Sequence, residues 1–177
     1  MHCAAWTTGL LVDVPAGDGW LGPRERALLA ALPAVAKRRG EWRLGRWTAK
    51  QLLGPGVEIL VAADGAPVAA SGAALSLSHR HGRALAVVAP HGVALGCDLE
   101  RGDQADWAAR EAAAKVRRDG VLRGASVTIE PAGDGWRVAT VTTAARTLAG
   151  RVRLLDGWTL AVFSDTPVLL EDDPAAR

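Results

Sequence analysis

The sequence predicts an α+β protein of two similar lobes, a pseudo-dimer in which each lobe is a helix packed on a small antiparallel sheet. Helical periodicity over three stretches and a series of short apolar, β-branched runs separated by Gly, Pro and Asp carry this reading. A faint internal repeat divides the chain: Trp47-Thr48-Ala49-Lys50-Gln51 is echoed by Trp107-Ala108-Ala109-Arg110-Glu111, and Leu85-Ala86-Val87 after Gly82 by Leu160-Ala161-Val162 after Gly157. The boundary falls near residue 92, giving an N-terminal lobe of residues 1–92 and a C-terminal lobe of residues 93–177. Halves that pair within one chain need no partner chain, so a monomer is expected, and the cleft between them is a common place for a ligand.

Pro23 opens a short helix over about Arg24–Leu32, since proline is tolerated in a first helical turn. A second helix runs from about Ala34 to Leu53 and stops at Gly54-Pro55-Gly56. Val57–Ala63 reads as a strand turned by Asp64-Gly65 into Val68 and Ala69. Ala73–Ser78 and Ala84–Ala89 follow as strands around a loop His79-Arg80-His81-Gly82, and Val93–Glu100 is a strand that begins apolar and finishes in carboxylates. An alanine-rich helix from Trp107 to about Arg118 ends at Gly120. The remainder reads as strands, Ser126–Glu130, Trp136–Thr142, Arg151–Leu155 and Trp158–Phe163, with an acidic, frayed tail after Leu170.

Composition bounds the function. With 177 residues, 49% hydrophobic and 23% charged, the chain is an ordinary globular protein with room for one good core or two fused lobes. Its 2 cysteines, Cys3 and Cys97, cannot staple a secreted scaffold or complete a four-thiolate zinc site, which predicts a cytoplasmic protein. No signal-peptide pattern opens the sequence, and Asp64, Pro67, His79 and Pro90 interrupt the apolar runs before any reaches membrane-spanning length, so no membrane partner is expected. A net charge of +2 does not argue for nucleic acid.

Asp98 and Glu100 stand two apart at the end of a strand, so both carboxylates share one face. Like charges so placed need a cation or a basic group between them, unless the strand end is simply solvated; magnesium, which prefers a few carboxylates plus phosphate and water, meets the requirement. Trp107, Glu111 and Lys115 recur at i, i+4 and i+8 on the following helix and form one stripe. Glu111 is then a third ligand or a base and Lys115 a phosphate contact, or the two form an ordinary helix ion pair. Arg39, Arg43, Arg46 and Lys50 form a positive stripe on the second helix, read as a solvated face, a phosphate cradle or a nucleic-acid surface. His79 and His81 flank Arg80 without a third metal ligand at a usable spacing, which argues against a metal pair.

Four of these elements carry a family resemblance. Gly96-Cys97-Asp98-Leu99-Glu100 is similar to the Gly-x-Asp-x-Glu signature of 4′-phosphopantetheinyl transferases, and Trp107-Ala108-Ala109-Arg110-Glu111-Ala112-Ala113-Ala114-Lys115 resembles their Trp/Phe-x-x-Lys-Glu-x-x-x-Lys signature, with Arg110 where lysine is usual. Ser76-Leu77-Ser78-His79 resembles the family's Ser-His element, and the run from Lys37 to Arg46 its basic helix in the larger, Sfp-type members. The resemblance implies that Asp98, Glu100 and Glu111 hold Mg2+ against the diphosphate of coenzyme A, that Glu111 and Lys115 are catalytic, and that Arg39, Arg43, Arg46, Lys50, Ser78 and His79 bind coenzyme A. The implied partner is an apo acyl or peptidyl carrier protein. The chain departs from the pattern at Ala66, where a cation is usual, and in its short Arg101–Asp106 connection, where Sfp-type members carry a longer docking segment. A noncatalytic relative that binds coenzyme A or a carrier protein is the alternative reading.

Overall fold

The computed structural model describes residues 2–118, 124–132 and 135–172. The element order is β1 (His2–Leu10), a 3-10 turn (Leu11–Asp13), α1 (Pro23–Ala31), α2 (Ala36–Leu53), β2 (Ile59–Val61), β3 (Pro67–Ala69), β4 (Ala74–Arg80), β5 (Arg83–Ala89), β6 (Leu95–Arg101) and α3 (Ala105–Arg117). Then follow β7 (Ser126–Pro131), β8 (Arg137–Thr142), β9 (Thr147–Leu155), β10 (Trp158–Ser164) and β11 (Val168–Asp172). The architecture is α+β, as expected, with the strands arranged as β11-β1-β5-β4, as β6-β10-β9-β8-β7, and as a small β2-β3 hairpin.

Each larger sheet carries one long helix. Ala49 of α2 packs with Ala86 of β5 and with Leu75 and Leu77 of β4. On the other sheet, fully buried Ala108, Ala109, Ala112 and Ala113 of α3 pack on Ala139, Val152, Ala161 and Phe163. Small side chains along this face let the helix lie close to the sheet. A third cluster fills the space between the two sheets, with Trp6, Leu85 and Val87 from one and Cys97, Leu99, Leu160 and Val162 from the other. Trp6 and Trp136 meet edge to face across it, with ring centroids 5.4 Å apart.

Four features differ from the sequence expectation. The N-terminal β1 was not anticipated, and it sits inside its sheet between β5 and β11. The tail after Leu170 is not frayed as far as Asp172, because β11 pairs with β1 in parallel, Leu169 opposite Cys3 and Glu171 opposite Ala5. The first sheet is therefore not purely antiparallel, and its outer strand comes from the second half of the chain. Finally, the His79–Gly82 loop narrows to His81 and Gly82, both at positive φ (47° and 77°), so His79 and Arg80 belong to β4. Such a two-residue turn matches the twist of the strands it joins. The expected helix stop at Gly120 and the last residues of the tail lie outside the described residues.

Candidate active site

The sheets meet edge to edge where β4 runs beside β6, and serine hydroxyls replace a backbone ladder there. Cys97 N–H donates to Ser76 Oγ at 2.9 Å, and Leu99 N–H donates to Ser78 Oγ at 3.2 Å. Gly96 lets α3 approach β6 on the other side. A Cβ at this position would collide with the Ala112 carbonyl oxygen and lie 2.9 Å from the Val116 nitrogen. This close approach brings the Glu111–Lys115 stripe down to the strand carboxylates.

Asp98 and Glu100 are both buried, at 6% and 7% exposure. Asp98 Oδ1 accepts from Ser78 Oγ at 2.9 Å and from Lys115 Nζ at 3.2 Å, and Lys115 also donates to the Cys97 carbonyl at 2.8 Å. Asp98 Oδ2 is buried without a hydrogen-bond partner. Glu100 accepts from Arg80 at 2.8 Å, whose own side chain is half exposed. Burial pushes the Glu100 pKa above the ordinary glutamate value, and the charges of Asp98 and Glu111 push the same way, while Arg80 and the Trp107 side chain oppose them. The strand carboxylates are thus neutralised in part by the chain's own cations, one of the possibilities the sequence left open.

Among the described residues no three His, Cys, Asp or Glu side chains form a ready metal cage. The donor chemistry at Asp98 and Glu100 nevertheless fits a hard divalent ion: oxygen atoms alone, one of them buried and unpartnered, beside a carboxyl whose charge is disfavoured first by burial and then by its like-charged neighbours. Glu111 is near enough to raise the Glu100 pKa, and Trp107 and Lys115, one turn to either side of it, also act on the carboxylate pair.

A cavity of about 600 Å³ opens between α2, the β2–β3 turn and β4, with Lys37, Glu41, Trp42, Arg46, Pro67 and His79 among its walls. Arg46 is only 4% exposed, its Nε and Nη2 have no hydrogen-bond partner, and its guanidinium stacks 3.5 Å from the Trp42 ring centroid. Burial lowers its pKa to about 10, against the attraction of Glu25. His79 faces this cavity while its neighbours Ser78 and Arg80 reach the β6 carboxylates, the alternation expected of a strand. Desolvation holds the His79 pKa below its ordinary value, opposed by Glu41 and reinforced by Lys115. The Lys115 charge is therefore felt on the cavity wall as well as at Asp98.

The basic stripe does not act as one surface. Arg46 lines the large cavity, whereas Arg39 and Arg43 line a separate hollow beside residues 11–18. Arg43 donates to the carbonyls of Pro15, Ala16 and Gly17 and pairs with Asp18 at 3.3 Å. Lys50 is buried, 2.9 Å from Glu25 and bonded to the Pro55 and Val57 carbonyls, so its charge is paired inside the protein. Helical spacing alone could not reveal these partners, because Glu25 comes from α1. Ser78 likewise directs its hydroxyl at Asp98 instead of the cavity. Sequence reasoning assigned no role to Arg80, Ser76 or Glu41; had Arg80 been read as strand, period-2 alternation would have placed it beside Ser78.

The family model described as the 4′-phosphopantetheinyl transferase N-terminal domain matches residues 24–89, from α1 through β5. The match takes in the cavity walls from α2, the β2–β3 turn and β4, and ends before the carboxylates of β6 and α3. It supports placing the chain in the 4′-phosphopantetheinyl transferase superfamily. No curated protein matches the chain.

Proposed function

We propose that this chain is a magnesium-dependent transferase that moves the phosphopantetheine arm of coenzyme A to a serine of an apo acyl or peptidyl carrier protein, releasing 3′,5′-ADP. The observation that carries the reading is the pairing of two complementary sites: a buried carboxylate pair with an unpartnered Asp98 Oδ2, and a cavity lined by Arg46, whose Nε and Nη2 have no hydrogen-bond partner. The family match over residues 24–89 supports it from the sequence side.

Asp98, Glu100 and Glu111 would hold Mg2+, which when bound neutralises charge on the diphosphate of coenzyme A. Arg46, with His79 beside it, would bind the nucleotide's phosphate groups in the cavity. Positioning and charge neutralisation carry most of the catalysis in phosphoryl transfer. The serine oxygen forms a bond to the phosphorus bearing the pantetheine arm, and the bond from that phosphorus to the 3′,5′-ADP oxygen breaks. Glu111 accepts the serine proton, and Lys115 offsets the charge developing on the leaving nucleotide.

Intact-mass analysis of several apo carrier proteins, incubated with the chain, coenzyme A and magnesium, tests the proposal. A gain of one phosphopantetheinyl group on at least one carrier, abolished by Glu111→Gln, is expected. No gain on any carrier, while a known transferase modifies the same samples, overturns it. The short connection between β6 and α3, Gly102-Asp103-Gln104, favours a second reading, a coenzyme-A-binding relative without transfer. Coenzyme A binding without any mass gain identifies that case.

A further inference from the structure

Two serines close the seam between β4 and β6, and they differ in one bond. Ser76 Oγ accepts the Cys97 N–H and Ser78 Oγ accepts the Leu99 N–H, so each satisfies one backbone donor on the edge of β6. Ser78 also donates to Asp98 Oδ1. A hydroxyl has a single proton, so with that proton on Asp98 none remains for a phosphate oxygen. Lys115 Nζ reaches the same oxygen, which leaves Asp98 Oδ1 with two donors and Asp98 Oδ2 buried with none. Ser78 is itself 8% exposed, and its hydroxyl is fixed at both ends.

We infer that Ser78 is a positioning residue of the cation site: its hydroxyl fixes the rotation of the Asp98 carboxylate so that Oδ2 is held free for a divalent ion. This rests on the magnesium site proposed above. The strand supplies the means, because the side chain that welds β4 to β6 through Leu99 N–H also orients the ligand one residue earlier on β6. A carboxylate without this donor is held by Lys115 alone, a long side chain that is itself 36% exposed. Groups that orient a metal ligand from outside the coordination sphere commonly change metal affinity by about 10–100-fold.

The test is Mn2+ binding to the purified chain in the presence of 3′,5′-ADP, followed by the electron paramagnetic resonance signal of free Mn2+, with thermal melts on the same samples. Ser78→Ala should weaken Mn2+ binding about tenfold. Ser76→Ala removes the matching weld and should lower the melting temperature while leaving Mn2+ affinity unchanged. Equal Mn2+ affinity in Ser78→Ala and wild type, or an equal loss in Ser76→Ala, overturns the assignment. If Ser78→Ala does not fold, Ser78→Thr and Ser78→Val replace it: they share a shape and differ in the hydroxyl, and only the threonine variant should keep the affinity. Equal affinities in that pair also overturn the assignment. Wild-type chain that binds no Mn2+ overturns the magnesium site itself, a result distinct from tight wild-type binding that Ser78 does not influence.

Discussion

Replacing Arg46 with methionine should stabilise the free protein while removing its response to nucleotide. Arg46 is buried with two guanidinium nitrogens lacking a hydrogen-bond partner, and burial lowers its pKa from the ordinary arginine value to about 10. At about 1.4 kcal/mol per tenfold change, that depression corresponds to roughly 3 kcal/mol of disfavoured charge. A depressed basic group contributes its stability above the ordinary pKa and loses it as pH falls through the folded value, so at neutral pH the full cost is present. Stacking on Trp42 recovers about 0.5–2 kcal/mol of this. Methionine keeps an apolar stem in the same space, so Arg46→Met should gain about 1–2 kcal/mol. At roughly 2–4 °C per kcal/mol for a chain of this size, its melting temperature should rise by about 2–8 °C. Wild type with 3′,5′-ADP at about a hundredfold excess over its dissociation constant should gain about 2.7 kcal/mol, a response absent from the variant. Circular dichroism melts at neutral pH, with and without 3′,5′-ADP, measure both effects. A variant that melts below wild type yet keeps the nucleotide shift would refute the reasoning.

Other perturbations follow from the same geometry. Gly96→Ala forces α3 away from β6, because the new methyl meets the Ala112 carbonyl oxygen; it should cost about 1–3 kcal/mol in urea unfolding and weaken Mn2+ binding by displacing Lys115 and Glu111. Lys50→Met leaves Glu25 charged and buried, a loss of about 3–5 kcal/mol that Glu25→Gln in the same chain should partly restore. The Glu100 carboxyl, raised by burial and by Asp98, retains its proton above the ordinary glutamate range. Its contribution to folding stability is therefore present below that range and lost as pH rises through the raised value. Mn2+ affinity should fall as pH drops through the same window, and a Mn2+ titration at several pH values that stays flat there would contradict this.

Much of the fold was legible because turn residues punctuate it. Gly54-Pro55-Gly56 marks the end of α2, and Asp64-Gly65 marks the β2–β3 turn. The Asp98–Glu100 spacing placed both carboxylates on one face without any tertiary information. What escaped the sequence depended on distant partners. β11 is ordered by pairing with β1 at the far end of the chain, and no local pattern encodes that. Lys50 looked like part of a positive face until Glu25 of α1 met it in the interior. The residues beside the carboxylates are obscured for a smaller reason: Gly82 and two histidines give His79 and Arg80 the look of a loop, which hides the alternation that sends Arg80 to Glu100 and His79 to the cavity. Gly96 was legible as part of a signature, but its mechanical role appears only when α3 lies against it.

The most direct measurement is 31P electron–nuclear double resonance on the chain loaded with Mn2+ and coenzyme A, with Asp98→Asn and Glu100→Gln variants alongside. Phosphorus coupling from a diphosphate bound at the manganese is expected, and it should be lost when either carboxylate is neutralised. Manganese that shows no phosphorus coupling, or coupling that survives in both variants, would contradict the proposed magnesium site.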